Sequence, residues 1–297
     1  MCGIVGLFLK DPALEPALGE MLAGMLVTMT DRGPDSAGLA LYGPQESGVA
    51  KITVQSDDPA AFEGLDTALA EALGGPVALS AAGSHAVLRL DAARAGEAPA
   101  ALASLRPGMR ITSRGETIEI YKEVGLPADV AARFGVAGMA GTHGIGHTRM
   151  ATESAVTTRG AHPFSTAPDQ CLVHNGSLSN HHNLRRQLAR AGVAVETEND
   201  SEVAAAYLTW RMQEGASLGD ALEQALDDLD GFFTFVVGTR DGFGVVRDPI
   251  ACKPAVMAET DAYVAFGSEY RALVDLPGIE AARVWEPEPA TVYFWTR

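Results

Sequence analysis

An α+β layered fold, with helices covering both faces of packed sheets, is predicted from three features of the chain. A strand-like apolar run stands near the start, at residues 4–9, and a series of such runs closes the chain from 231 to 267. Between them, from 180 to 229, apolar residues recur at three- and four-residue spacing, the period of a helix. A hydrophobic content of 47% with 20% charged residues over 297 positions gives ordinary globular composition and a sizeable core.

The first strand is Ile4–Leu9, stopped by Asp11-Pro12. Asp is a good helix cap, and Pro fits a first turn whose N–H would be unpaired in any case. Leu14, Leu18, Met21, Leu22, Met25, Leu26 and Met29 then follow at helical spacing. Methionines in such a stripe fill core rather than bind metal. A polar loop, Asp31–Gly38, leads into a strand at Leu39–Tyr42.

From about 45 to 115 the pattern reads as a small α/β insert on the main fold. Lys51–Gln55 alternates like a strand, and Asp58-Pro59 opens a helix carrying Phe62, Leu65, Leu69 and Leu73. Val77–Ala81 and His85–Leu90 form a hairpin about Ala82-Gly83-Ser84. The Ala- and Pro-rich stretch 92–105 is expected to be flexible. Glu116–Lys122 then reads as a strand and Pro127–Phe134 as a helix.

Residues 141–152 are dense in Gly, His and Arg, but the glycines do not follow the dinucleotide-loop spacing. His143 and His147 are four apart, yet glycines separate them and no Glu follows His143, so a zinc-protease helix is not indicated. The apolar run from Cys171 is expected to end in a tight turn at Asn175-Gly176. Asn180 caps a helix with Leu184 and Leu188 that ends near Gly192; helices at Val203–Met212 and Ser217–Leu229 follow. Phe232–Val237, Gly244–Arg247, Ala255–Ala258 and Tyr263–Gly267 read as strands, with Asp241-Gly242 as a hairpin turn.

Charge excludes some partners. With 22 basic and 38 acidic residues the net charge is −16, which repels nucleic acid and anionic membrane surfaces. The three cysteines, Cys2, Cys171 and Cys252, are widely spaced without a CxxC, so neither a metal site nor a disulfide framework is expected. No basic-then-apolar leader and no run of about 18 apolar residues is present, and a cytoplasmic location is expected.

Cys2 is chemically distinctive once Met1 is removed. One residue would then carry a thiol and a free α-amine, with reference pKa values of about 8.5 and about 7.7–8. The amine can take the thiol's proton, directly or through a water, giving a nucleophile with its own base.

Five separated segments, in order, carry a family resemblance: Cys2-Gly3-Ile4-Val5-Gly6; Arg32-Gly33-Pro34-Asp35-Ser36-Ala37-Gly38; Gly144-Ile145-Gly146-His147-Thr148-Arg149; His174-Asn175-Gly176; and Asp200-Ser201-Glu202. Asp248-Pro249 through Lys253-Pro254 and Gly267-Ser268-Glu269 add to it. The chain resembles the class II glutamine amidotransferases, N-terminal-nucleophile hydrolases. The resemblance spans 2–297 except the insert, and implies a four-layer αββα sandwich acting on free glutamine. By that resemblance Cys2 is the nucleophile, and Asn175 with the Gly176 backbone N–H forms the oxyanion hole. Arg149 would hold the α-carboxylate of glutamine and Asp200 its α-ammonium. His147 and Thr152 are further substrate-loop candidates, Arg32 and Gly33 support the loop beside Cys2, and Glu202 could cap the helix that follows it.

Members that aminate sugars carry Trp-Ala-Thr-His after the arginine, whereas this chain has Met150-Ala151-Thr152-Glu153. With the sequence ending at Arg297, no synthase domain is expected to follow, so ammonia would pass to a partner subunit. The length, the 150–156 variant and the insert resemble the amidotransferase subunit of N-methylglutamate synthase; the alternatives are the amidotransferase subunit of another, glutamate-synthase-like enzyme and a non-catalytic interaction subunit. That resemblance implies partner subunits resembling pieces of glutamate synthase, carrying FMN and an iron–sulfur cluster, with no cofactor in this chain.

Overall fold

The structure, a computed structural model, describes residues 2–151 and 156–297, and the account below is of those residues. The chain opens on β1 (Gly3–Leu9), whose residues are all buried. Asp11 accepts from the Ala13 N–H and starts a 3₁₀ turn at Pro12–Ala17, which runs into α1 (Leu18–Thr28). After β2 (Ser36–Tyr42) come β3 (Val49–Gln55), α2 (Leu65–Leu73), β4 (Val77–Ala82), β5 (His85–Asp91), α3 (Ala98–Leu105) and β6 (Arg110–Gly115). The chain continues through β7 (Ile118–Val124), α4 (Pro127–Arg133), β8 (His143–Arg149), β9 (Phe164–Ala167) and β10 (Gln170–Leu178). Three helices follow, α5 (His181–Arg190), α6 (Asp200–Gln213) and α7 (Leu218–Asp228). The closing strands are β11 (Gly231–Thr239), β12 (Gly242–Arg247), β13 (Val256–Glu259), β14 (Tyr263–Gly267), β15 (Arg283–Trp285) and β16 (Val292–Thr296).

Two antiparallel sheets stack face to face. The first has the order β15-β13-β14-β1-β8-β2-β7, and the second β16-β12-β11-β10-β9. Ile4, Phe8, Tyr42, Ile145, Val173, Val236, Phe243 and Phe266 fill the space between them. On its other face the first sheet packs against the Leu18, Leu22, Met25 and Leu26 side of α1, as the methionine-rich stripe predicts. The second sheet packs against α5, α6 and α7 through Leu184, Leu188, Val203, Tyr207 and Leu222. The layers run helix, sheet, sheet, helix, the predicted four-layer arrangement.

Residues 49–115 build a third sheet of order β4-β5-β3-β6. Its β-α-β-β-α-β order with all neighbours antiparallel is a split βαβ unit. Ile52, Val54, Leu88 and Leu90 pack with Leu65, Leu69 and Leu102 on one side. The stretch 92–105, expected to be flexible, is instead a 3₁₀ turn and α3, with Ala98 and Leu102 buried. Its alanines favour helix, Pro99 sits harmlessly in the first turn, and residues 98 and 102 share one face. The helix expected from Asp58 is likewise divided: a 3₁₀ turn ends at Phe62, and Gly64 at φ +65° separates it from α2.

The tight turn expected at Asn175-Gly176 is not present. β10 runs straight through both residues, with Asn175 opposite Thr234 and Gly176 opposite Phe233 on β11. Gly176 has φ +156°, and a Cβ there would lie 2.0 Å from the Phe232 carbonyl oxygen. Glycine is therefore required by the close approach of two strands.

Candidate active site

The candidate residues gather at one end of the sandwich, where the strand ends bring distant parts of the chain together. β1 and β8 pair with Gly3 opposite Thr148, which sets Cys2 and Arg149 at the same end of the first sheet. Arg149 in turn is opposite Ser36 of β2. Cys2 is partly exposed and its thiol is free.

Backbone groups of the first residues are held from three sides. The Cys2 carbonyl accepts from Arg32 Nε at 3.0 Å and from Asn175 Nδ2 at 3.2 Å. Ile4 N–H donates to Ser268 Oγ at 2.9 Å, and the Ser268 N–H returns to the Ile4 carbonyl. Arg32 is fixed by Glu269, 2.6 Å from its Nη1. Glu269 is held below the usual carboxylate range, first by its hydrogen bond from Arg32. Gly33 permits its loop to lie against the end of β8: a Cβ there would sit 2.4 Å from the Thr148 carbonyl carbon. Gly3 does the same for the Thr148 side chain, whose Oγ1 would lie 2.8 Å from an added Cβ.

Asn175 is buried on β10, one residue after His174. One of its amide protons is spent on the Cys2 carbonyl, and the Nδ2 group has a second to offer. His147 Nε2 meets the His174 carbonyl at 3.1 Å, and its ring stacks on His162 at 4.0 Å. Burial holds His147 down to about 3 and His162 well below the ordinary imidazole value. Burial also lowers His174, opposed by the charge of Asp200. Near neutral pH these rings are uncharged spacers and hydrogen-bonding groups rather than cations.

Asp200 is the first residue of α6, whose start is capped by Asn199 accepting from the Ser201 N–H. The Asp200 carboxylate accepts from the Leu178 N–H at 2.9 Å and lies 3.9 Å from His174 Nδ1. His174 Nδ1 meets Ser201 Oγ at 2.9 Å, so the β10 imidazole braces the turn that presents Asp200. Arg149 Nη1 donates to the Gly160 carbonyl at 3.3 Å, and Asn199 Nδ2 donates to that same oxygen at 3.4 Å. Arg149 and Asn199, the residue before Asp200, thus meet at one carbonyl oxygen.

Thr152 lies outside the described residues. The expected capping role of Glu202 is not what the structure shows. Its carboxylate accepts from Glu196 N–H, Thr197 N–H and Thr197 Oγ1, clamping the loop before α6 rather than the helix start. Four residues of this region carried no assigned role from sequence: His162, His174, Asn199 and Ser268. His174 and Ser268 stand inside the family-like segments, a signal that could have found them, whereas nothing local marks His162. Among the described residues no His, Cys, Asp and Glu group converges as a metal site. Cys171 is a different kind of thiol: burial pushes it up to about 12, beside the Tyr42 hydroxyl.

Comparison with known proteins bears on this arrangement. A family model described as glutamine amidotransferase domain matches residues 147–275. The chain is 70% identical to the glutamine amidotransferase-like protein GlxB of Rhizobium meliloti (strain 1021), over 99% of this chain and 98% of that one. It is 32% identical to a putative glutamine amidotransferase of Methanothermobacter thermautotrophicus, over 99% of each. In fold it matches the glutamine phosphoribosylpyrophosphate amidotransferase of B. subtilis with a TM-score of 0.63 at 17% identity, covering 99% of this chain and 47% of that one.

Proposed function

From the premise that this chain belongs to the glutamine amidotransferases, with the class II sandwich fold, we propose that it hydrolyses the side-chain amide of free glutamine. The observation that carries this reading is the hydrogen bond from Asn175 Nδ2 to the Cys2 carbonyl, 3.2 Å long between residues 173 apart, at the end of the sandwich that also holds Arg149.

The chemistry follows from those groups. With Met1 removed, the Cys2 α-amine takes the thiol proton, and the thiolate attacks the amide carbon of glutamine. A C–S bond forms and the carbonyl oxygen becomes an oxyanion, stabilised by the Asn175 amide and the Gly176 N–H. The Cys2 ammonium returns its proton to the amide nitrogen, the C–N bond breaks, and ammonia leaves. Water then adds to the γ-glutamyl thioester with the amine as base, the C–S bond breaks, and glutamate is released with the thiol restored. Arg149 and Asp200 select the free amino acid by its α-carboxylate and α-ammonium.

We assign the ammonia to a partner synthase subunit, since in open water it would be protonated and lost as a nucleophile. The resemblance of the 150–156 segment and of the insert to an N-methylglutamate synthase subunit supports an N-methylglutamate-type synthase, with FMN and an iron–sulfur cluster in its other subunits. The test is glutamate release by the mature chain, together with labelling by a glutamine-like diazoketone. Labelling at Cys2, blocked by glutamine, is expected; absence of labelling overturns the reading. Affinity purification identifies the synthase chains, and recovery of a partner set lacking flavin overturns the acceptor assignment.

A further inference from the structure

The segment 159–163 supplies the Gly160 carbonyl shared by Arg149 and Asn199, and it is held from behind by a residue of β7. Lys122 is buried, opposite Gly38 of β2. Its Nζ lies 2.8 Å from the Ala161 carbonyl, 3.3 Å from that of Pro163 and 3.5 Å from that of Arg159. An ammonium has three protons, and here three acceptors of one short segment take them. The stem passes the Phe164 ring, with Nζ 4.7 Å from its centre. Among the described residues no carboxylate lies within ion-pair distance of Lys122. Its charge is therefore solvated by these carbonyl dipoles, and moving the segment would strand it.

Two further features lock the arrangement. Gly38 lets the segment approach β2, since a Cβ there would lie 2.1 Å from the His162 carbonyl oxygen. Glu123, next along β7, accepts from Thr158 Oγ1 and, at 2.5 Å, from Ser84 Oγ of the insert. One strand thus grips both ends of 158–163 and ties the insert to them. Burial holds the Lys122 ammonium down to about 8, so it keeps its charge at neutral pH with a modest margin.

We propose that Lys122 is a positioning residue of the glutamine site: it fixes the 159–163 backbone and, through the Gly160 carbonyl, holds the Arg149 guanidinium ready for the α-carboxylate of the substrate. The assignment rests on the glutaminase reading above. The test uses the full mature chain. Lys122→Met keeps the stem and removes the charge and donors; it is expected to raise KM for glutamine about tenfold or more while kcat changes less than about threefold. Lys122→Arg, which keeps charge and donors, is expected to recover most of that loss. Alkylation of Cys2 by iodoacetamide, which needs no substrate loop, is expected to stay at the wild-type rate.

Thr158→Val, which releases the loop from Glu123, is expected to raise KM in the same direction by a smaller factor. An unchanged KM in Lys122→Met overturns the proposal, as does a loss shared equally by kcat and iodoacetamide alkylation. Should Lys122→Met not fold, an unchanged KM in Thr158→Val overturns it. Wild-type protein that neither hydrolyses glutamine nor reacts with the diazoketone overturns the underlying reading instead.

Discussion

The sandwich and the four-stranded insert bury their sheets in opposite ways. In the sandwich, both faces of β1, β8 and β14 are covered, and an apolar cluster fills the layer between the sheets, crossed by His143 to the Thr239 carbonyl and by His147 to the His174 carbonyl. Polar chemistry is pushed to the strand ends, where Cys2, Arg149 and the Asn175 region meet. In the insert, one face is apolar beneath α2 and α3, and the other face is polar yet buried along β3, at Lys51, Thr53 and Gln55. Lys51 pairs with Glu119 of β7 at 3.0 Å, Ser113 bonds Thr53, and Thr112 Oγ1 reaches the Ile120 carbonyl. A polar interlayer fixes a register, because a misplaced partner leaves a buried group unpaired. The sandwich therefore carries the candidate site at its strand ends, and the insert has a specified attachment to β7, the strand that holds residues 158–163.

The largest effect that would sharpen this division is at the reactive end. Cys2→Ala is expected to reduce glutamate release by about 10⁴-fold or more, with the fold intact by circular dichroism. Retained hydrolysis would mean the site lies elsewhere. Next, Asn175→Ala is expected to cost about 10²–10³ in kcat with a smaller change in KM, read from steady-state kinetics. An effect on KM alone would move Asn175 from transition-state stabilisation to substrate binding.

The complementary change is in the insert. Leu102→Ala removes a buried side chain from its core and is expected to cost about 2–4 kcal/mol in denaturant unfolding, with kcat unchanged. A proportionate loss of kcat would show that the two regions are not separable. The smallest effect concerns pH. Burial depresses His143 and His147 to about 3, and His162 and His174 also fall, while on the insert's side His85 is lowered to about 4. Each folded pKa lies below the unfolded value of about 6.5, so the unfolded chain binds more protons in between. Stability from these groups is complete above about 6.5 and is lost as pH falls from there toward about 3. Urea midpoints are expected to drop between pH 7 and 5, and His85→Gln to remove only a small part of that slope. A flat profile would contradict neutral burial of the sandwich histidines.

Local pattern carried a large part of the fold. The strands β1, β2, β7 and β11 to β14, the α1 stripe and the three central helices are legible because burial on one side or both imposes a period on neighbouring residues, whereas β8, β9, β15 and β16 carried no strand reading. Failures occurred where two physical causes give the same letters. Ala92–Leu105 has linker composition, yet its spacing makes a helix once a sheet lies beneath it. Asn175-Gly176 has turn chemistry, yet here Gly is demanded by the close approach of β11 and Asn by the Cys2 carbonyl. Arg110–Gly115 shows little alternation: Ser113 is its one buried residue, and Thr112 and Ser113 bond polar groups of β7 and β3.

By itself the sequence marked the candidates for chemistry: a thiol beside the chain start, an Asn-Gly pair, an arginine after a glycine-rich run and an acid at a helix start. These are properties of single residues and their immediate neighbours, and they survive in a linear reading. Only the tertiary structure decided which of them share a space. Cys2 meets Asn175 because β1 and β10 lie in facing sheets. Arg149 meets the Asn199 cap at one carbonyl oxygen, and Lys122 reaches three carbonyls some forty positions further on. Such contacts are set by strand order and by the packing of one layer on another, quantities to which no short window of residues is sensitive.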